Sequence, residues 1–305
     1  FSEEEAHICT VFEKKGILHK IDMHLRKNKT KGIAIDGVPI RKASELFGLI
    51  HFVFFSPEDL SIIKNGPAER RHFLDSELCQ LDKVYLYQLS NYNKVVLQRN
   101  KLLKELYLHP DYREVLDVLD MQLVQYGSAL IQRRQTFAEE LGEIVHRIHS
   151  QLSGGQEEME LKYEPNVTVD AFAQMLFSNR ERDMRLKTTA TGPHRDDISF
   201  VVNGVDIRKF GSQGQQRTAA LSLKLSEIEL VKRLIGDTPV LLLDDVLSEL
   251  DSGRQNYLLN SIENIQTLIT CTGLDEFVNH RFSINRIYKV TDGSVTVENK
   301  QEADR

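Results

Sequence analysis

The 305 residues are 41% hydrophobic and 28% charged, enough apolar material for a sizeable core spread over two lobes or domains. A net charge of −6 excludes nucleic-acid binding by bulk basicity, so any such surface is a local patch. No apolar run is long enough to span a membrane, and Cys9, Cys79 and Cys271 lie too far apart for a metal or redox spacing, which together predict a cytoplasmic chain with no membrane contact.

Residues 6–35 carry three strand-like stretches, AHICTVFEK, HKIDMHLRK and GIAID, and Asp36-Gly37 after them is a hairpin signal. The chain opens on Phe1 directly ahead of the first stretch, from which we expect a further N-terminal segment. Arg26, Lys27, Lys29 and Lys31 form a small basic run, either a solvated hairpin tip or a phosphate contact on DNA. Residues 42–49 read as a short helix and 51–55 as an apolar strand. Ser56-Pro57-Glu58-Asp59 has the form of a helix start, with Ser as cap, Pro in the first turn and acids facing the helix dipole. It also stands where a loop that joins two lobes and senses nucleotide would stand.

From Ala68 to about Gln151 apolar residues recur at helical spacing, with one interruption near His109-Pro110. We expect two long helices packed as an antiparallel hairpin, an arm inserted into an α/β head. Arg70 and Arg71 begin it. His146 and His149 share a helix face, and with no third ligand nearby they read as ordinary structural histidines.

Leu152-Ser153-Gly154-Gly155-Gln156 matches, letter for letter, the commonest signature sequence of ATP-binding-cassette ATPases. We read it as a decoy. It ends a helix instead of opening one, Gly-Gly is a helix stop, and strand-like acidic sequence follows. Residues 168–186 read as another helix, and 191–197 (TGPHRDD) as a polar turn into the strand ISFVV, followed by an Asn203-Gly204 hairpin. His194 and Arg195 either order that turn or link it to nucleotide or DNA.

Phe210-Gly211-Ser212-Gln213-Gly214-Gln215-Gln216-Arg217 then leads into a long amphipathic helix. A Ser-x-Gly-Gln at a helix start offers free backbone N–H groups and a hydroxyl to a phosphate. Next comes Pro239–Asp251, PVLLLDDVLSELD. The run Val240 to Leu243 predicts a strand buried on both faces, ending in Asp244 and Asp245 where open α/β sheets bind ligands. A hard cation such as Mg²⁺ takes such oxygen ligands, and this is the form of a Walker B strand. Ser248-Glu249-Leu250-Asp251 stands where cassette ATPases carry the D-loop. Ser212 precedes Asp244 by 32 residues, room for one helix and a turn, whereas Ser153 precedes it by 91. A helix over 255–262, a strand over 266–270 ending near Thr272, and two strands turning at Asp292-Gly293 complete the chain.

FFSPEDL (54–60), NGPAERRHFLD (65–75), TGPHRDD (191–197), FGSQGQQR (210–217) and LLLDDVLSELD (241–251) together resemble the RecF family, bacterial recombination mediators related to the SMC ATPase heads, over nearly the whole chain. The resemblance implies an α/β ATP-binding-cassette head whose mixed-sheet lobe carries an inserted antiparallel helical arm. It divides the chain into residues 1–66, the remainder of the N-terminal ATPase lobe; 67–187, the arm or second lobe; and 188–305, the signature, Walker B and C-terminal part of the head. It implies ATP and Mg²⁺ as cofactors, an ATP-dependent homodimer, and binding to double-stranded and gapped or single-stranded DNA. RecR, and RecO through it, are the implied partners in loading RecA at gaps, with slow ATP hydrolysis. On this resemblance Ser212, Gly214 and Gln215 meet the nucleotide of the other subunit, Asp244 holds Mg²⁺, and Asp245 orients or deprotonates the attacking water. Asp251 couples the two sites, and Thr272 takes the place of the switch histidine. Lys27, Lys29, Lys31, Arg70 and Arg71 are the candidate DNA contacts. One departure is large: the family's phosphate-binding loop, Gly-x-x-x-x-Gly-Lys-Thr/Ser, occurs nowhere in the 305 residues. The chain by itself is therefore expected not to bind ATP in the ordinary way, and a non-hydrolysing scaffold that binds DNA or RecR is the alternative reading.

Overall fold

Lys15 and Gly16, at φ 52° and 77°, turn β1 (Glu5–Lys14) back onto β2 (Ile17–Arg26) in antiparallel register, Glu5 opposite Arg26. Left-handed backbone at both central positions matches the twist of two paired strands. The same device at Asp36 and Gly37 joins β3 (Gly32–Ile35) to β4 (Val38–Ile40), which completes a four-stranded sheet in the order β1-β2-β3-β4. Lys14 Nζ ties this sheet to the next segment by donating to the carbonyls of Gly48 and Leu49 at 2.9 and 2.8 Å. The structure, a computed structural model, describes residues 3–105, 113–271 and 286–298.

The helix expected over 42–49 is a single 3-10 turn, Ala43–Leu46. Phe47 is already extended and Gly48 is left-handed, so the backbone leaves the helix before a full ladder forms. β5 (Phe52–Phe55) follows. It is parallel to β9 (Val240–Asp244), and β9 is parallel to β10 (Thr267–Thr270), in the order β10-β9-β5. α8 (Gln213–Ile235) lies against β5, with Lys224 Nζ 6.0 Å from the centre of the Phe55 ring. Val53, Phe55, Leu241 and Leu243 are buried on that face. The expectation that β9 is buried on both faces is corrected here: Val240 and Leu242 are half-buried, and Phe52, Phe54 and Leu268 on the neighbouring strands are exposed. Among the described residues helical cover lies on one face only.

The helical region has three helices where two were expected. After α1 (Leu60–Lys64) and α2 (Pro67–Leu81), the carboxylate of Asp82 accepts the N–H groups of Val84 and Tyr85 and opens α3 (Lys83–Glu105) as a new helix. α3 and α4 (Arg113–Leu152) form the antiparallel pair. Tyr85 meets Arg134, Tyr92 meets Gly127 and Arg99 meets Asp120, so contacts climb one helix by seven residues as they descend the other. Seven residues is two turns, which keeps one stripe of each helix in the seam. Two buried arginines fasten the pair to its surroundings. Arg99 bonds Asp120 and Asp183 at 2.6 and 2.7 Å, while Arg134 bonds Asp75, Asp196 and the Pro193 carbonyl.

The helix expected over 168–186 is two, α5 (Val169–Ser178) and α6 (Arg180–Leu186), divided at Asn179, whose side-chain amide donates to Thr191 Oγ1 at 2.9 Å. β6 (Met159–Glu164), β7 (Asp197–Val202) and β8 (Val205–Asp206) form an antiparallel sheet, with the Asn203-Gly204 turn left-handed at both positions. α7 (Ile207–Phe210) delivers the chain to α8. α9 (Ser252–Ser261) follows β9, and β11 (Ile287–Thr291) pairs with β12 (Ser294–Glu298) across Asp292-Gly293.

Candidate functional site

Parallel pairing of β9 with β10 sets Thr270 beside Asp244. The Thr270 hydroxyl donates to Asp244 Oδ1 at 2.6 Å and accepts the Asp245 N–H at 3.2 Å. That amide is also 3.2 Å from the Thr270 carbonyl. One threonine thus fixes both acids at the carboxyl end of the sheet. Asp245 sits at φ 51°, a left-handed conformation that Asp tolerates better than most residues and that turns the chain sharply after the strand. Its Oδ1 is shielded from solvent and has no hydrogen-bond partner among the described residues. Ser248 Oγ donates to the Asp245 carbonyl at 2.8 Å and closes the turn.

Ser212 caps α8. Its Oγ accepts the Gln215 N–H at 3.2 Å, and Gln215 Oε1 accepts the Ser212 N–H at 3.0 Å, a reciprocal capping box. Ser212, Gln213 and Gly214 lie at the surface ahead of a helix whose body is buried. Asp251 caps α9 by accepting the Arg254 N–H at 3.0 Å, and that bond, the first of several, lowers its carboxyl pKa. Arg254 joins the two caps: its guanidinium bonds Asp251 Oδ2 at 2.6 Å and Thr218 Oγ1 at 2.5 Å, and Thr218 in turn donates to the Gly214 carbonyl at 2.8 Å. A cleft lined by Phe55, Pro57, Arg217, Lys224, Val246 and Leu250 runs between the loop after β5, α8 and the segment after β9.

No family model matches the chain. It is 60% identical over 301 residues to the "DNA replication and repair protein RecF" of Lachnospira eligens, a match that covers 98% of this chain and 83% of that protein. The protein of the same name from Agathobacter rectalis is 61% identical over 297 residues, 97% of this chain and 82% of that one. This chain belongs to the RecF family. A solved structure of the recombination mediator protein RecF with ATP, of the RecFOR pathway, matches 98% of this chain and 81% of that one with a TM-score of 0.89 at 33% identity. An Smc head domain from Pyrococcus furiosus, solved with part of ScpA, matches 97% of this chain and 77% of that one with a TM-score of 0.52 at 13% identity, a likeness of fold alone. RecF membership and that fold make the chain an α/β head of the ATP-binding-cassette ATPase class, in a family of DNA replication and repair proteins.

The remaining expected site residues lie elsewhere in this RecF chain. Lys27, Lys29 and Lys31 are exposed at the β2–β3 turn, with Lys27 Nζ 3.1 Å from Glu4. Arg70 is a correction. It is 1% exposed, its guanidinium makes two bonds to Asp197 at 2.6 and 3.0 Å, and it also reaches the carbonyls of Ile62 and Asn65, which leaves it no surface for DNA. Arg71 beside it is half-buried and donates to the Asp196 carbonyl at 2.7 Å. The first turn of α2 lies against the start of β7, so this Arg-Arg pair faces an Asp-Asp pair. His194 and Arg195 both reach the Thr189 carbonyl and order their turn. The LSGGQ stretch ends α4: Gly154 and Gly155 are left-handed, and the Gly155 N–H returns to the Ser150 carbonyl at 2.8 Å. Thr272 lies outside the described residues.

Sequence reasoning missed Thr270 and Arg254. The parallel register of two apolar strands would have found the first, and the i, i+3 spacing from Asp251 the second. The acids fit a magnesium ion: Asp244 is exposed with one oxygen committed to Thr270, and Asp245 presents a shielded oxygen with no partner among the described residues. Among the described residues no group of three or more His, Cys, Asp and Glu is gathered to hold a metal, and Mg²⁺ needs only one or two carboxylates beside phosphate and water. Among the same residues no helix is long and apolar enough to cross a membrane.

Proposed function

We propose that this chain acts in an ATP-gated DNA clamp of the cytoplasm, in recombinational repair and replication restart. Two subunits close head to tail on ATP. Each nucleotide lies between the phosphate loop of one subunit and Ser212, Gly214 and Gln215 of the other. Asp244 holds Mg²⁺, directly or through water, and the ion offsets phosphate charge. Asp245 orients the attacking water or takes its proton. Asp is one methylene shorter than the Glu common at this place, and since phosphoryl transfer depends on positioning, hydrolysis is slow. Asp251 couples the two sites, and Thr272 contributes a weak contact in place of a switch histidine. The three regions 1–66, 67–187 and 188–305 serve as lobe, arm and signature-bearing head. Lys27, Lys29 and Lys31 meet DNA phosphates of duplex or gapped substrates, so binding weakens steeply with salt. RecR, and RecO through it, are the partners in loading RecA.

One observation supports this reading above the others. The helix capped by Ser212 packs on the same sheet whose central strand ends in Asp244 and Asp245, and Arg254 with Thr218 ties the signature cap to the D-loop cap. The absence of a Gly-x-x-x-x-Gly-Lys-Thr/Ser motif from the 305 residues favours a second reading for this chain alone, a non-hydrolysing scaffold for DNA or RecR. The test uses a chimera in which this chain replaces the matching part of the Lachnospira eligens relative. Mass in solution is measured by light scattering with and without Mg-ATP, alongside phosphate release. A clamp dimerises with ATP, and Asp245→Asn keeps the dimer while abolishing hydrolysis. A chimera that stays monomeric at saturating ATP sinks the clamp reading, and Asp245→Asn then changes nothing.

A further inference from the structure

The side chain of Gln215 is held at both ends. Its oxygen accepts the Ser212 N–H at 3.0 Å, and its nitrogen donates to Glu157 Oε1 at 2.9 Å. Glu157 is itself held. Its other oxygen lies 3.1 Å from His149 Nε2, and its backbone N–H is accepted by Ser153 Oγ at 3.2 Å. His149, wholly buried near the end of α4, places Nδ1 3.0 Å from Ser222 Oγ inside α8. The Ser222 hydroxyl donates to the Thr218 carbonyl at 2.7 Å.

Burial holds the imidazole pKa below its ordinary value, against the upward pull of Glu157, so the ring is neutral. A neutral ring carries one proton, and the partners decide where it goes. The Glu157 carboxylate only accepts, so the proton lies on Nε2, and Nδ1 faces the Ser222 oxygen, whose one proton goes to the Thr218 carbonyl. From the Nε2 proton through Glu157 and Gln215 to the Ser212 amide, every contact then joins a donor to an acceptor. The relay starts in the buried body of α8, passes through α4 and the Gly154-Gly155 turn, and returns to the exposed first turn of α8.

We infer that His149 and Glu157 are positioning residues for the signature loop: they hold the Gln215 side chain in the capping box, and with it the Ser212 hydroxyl and amide, before any nucleotide arrives. This deepens the clamp reading and rests on it for its consequence, since a loop set in advance loses less freedom when it closes on the nucleotide of the other subunit. It also gives the segment around the decoy signature a role. Ser153 and Glu157 do not meet nucleotide but hold the loop that does.

Two measurements test it. The first is amide hydrogen exchange at Ser212 and Gln215 in this chain without nucleotide, where Glu157→Ala and His149→Leu speed exchange at both amides and leave the middle of α8 protected. Glu157→Gln rescues, because the amide accepts from Gln215 and donates to a ring whose proton has moved to Nδ1. The second is the ATP concentration that half-dimerises the chimera. Glu157→Ala raises it about tenfold, the worth of one hydrogen bond, while a fluorescent ATP analogue binds the monomeric chimera as before. Unchanged exchange at Ser212 and Gln215 overturns the inference. So does faster exchange all along α8, which marks general destabilisation. Faster exchange confined to the loop, in a chimera that never dimerises with ATP, upholds the positioning role and overturns the clamp reading instead.

Discussion

Acidification should weaken this fold through His194. The ring lies between α3 and the turn before β7, with the Tyr92 hydroxyl 2.7 Å from Nδ1 and the Thr189 carbonyl 2.9 Å from Nε2. A neutral ring with its proton on Nε2 satisfies both contacts. Burial is the main force on its pKa; the bond to Thr189 opposes it, Arg195, Arg71 and Arg134 reinforce it, and the result falls from 6.5 to about 4. The unfolded chain takes up this proton near its ordinary pKa while the folded chain still refuses it. The stability contribution is therefore complete above about pH 6.5 and is lost as the pH falls towards about 4. At roughly 1.36 kcal/mol per pH unit, that gap caps the loss at about 3 kcal/mol, with about 2 kcal/mol gone by about pH 5. Other groups titrate in the same range, so the readout is a difference between two proteins. His194→Gln keeps a donor for Thr189 and does not titrate. Urea unfolding followed by circular dichroism should show the variant less stable at neutral pH, and the deficit should shrink by about 2 kcal/mol at about pH 5. A deficit that stays constant between those two pH values would refute the reasoning.

Three further outcomes are expected. A Cβ on Gly127 would stand 2.5 Å from Phe172 Cε1 and 3.0 Å from Tyr92 Cε2, so Gly127→Ala should cost about 1–3 kcal/mol in urea unfolding. Gly142→Ala on the same helix meets nothing nearer than 3.6 Å and should be neutral or mildly stabilising; equal losses at the two sites would count against the packing account. Arg134→Met takes a charged donor from the buried Asp196 and Pro193 carbonyl and from the half-buried Asp75, and should lower unfolding stability by about 3–5 kcal/mol, a value that a loss below about 1 kcal/mol would contradict. Thr270→Val takes from Asp244 a hydroxyl donor; on the proposed function it should slow phosphate release by the chimera at least about tenfold with ATP-dependent dimerisation retained, and an unaltered rate would remove Thr270 from the site.

Local chemistry wrote much of this molecule into the chain. Left-handed turns at Asp36-Gly37, Asn203-Gly204 and Asp292-Gly293 follow from residues that tolerate positive φ, and each appears where the dipeptide does. The Ser212 cap and the Gly154-Gly155 stop are properties of a few adjacent residues, so the sequence suffices to tell that Ser212 opens a helix and that the LSGGQ stretch ends one. The order of five motifs was enough to place the family. Helix breaks were less legible, because Asp82 and Asn179 are unremarkable letters until their side chains find Val84 and Thr191.

What tertiary structure alone decided is which charges face water and which face each other. Arg70 in the sequence is a basic residue at a helix start, as available to DNA as Lys29. Only the approach of β7, 127 positions further on, turns it inward onto Asp197. Thr270 reads as the end of an ordinary strand until parallel pairing brings it to Asp244, and His149 as one of two histidines on a helix until Glu157 and Ser222 close on it. The reason is range. Caps and turns are settled within about four residues by backbone geometry. Burial of a charge is settled by a partner whose distance along the chain no local pattern records.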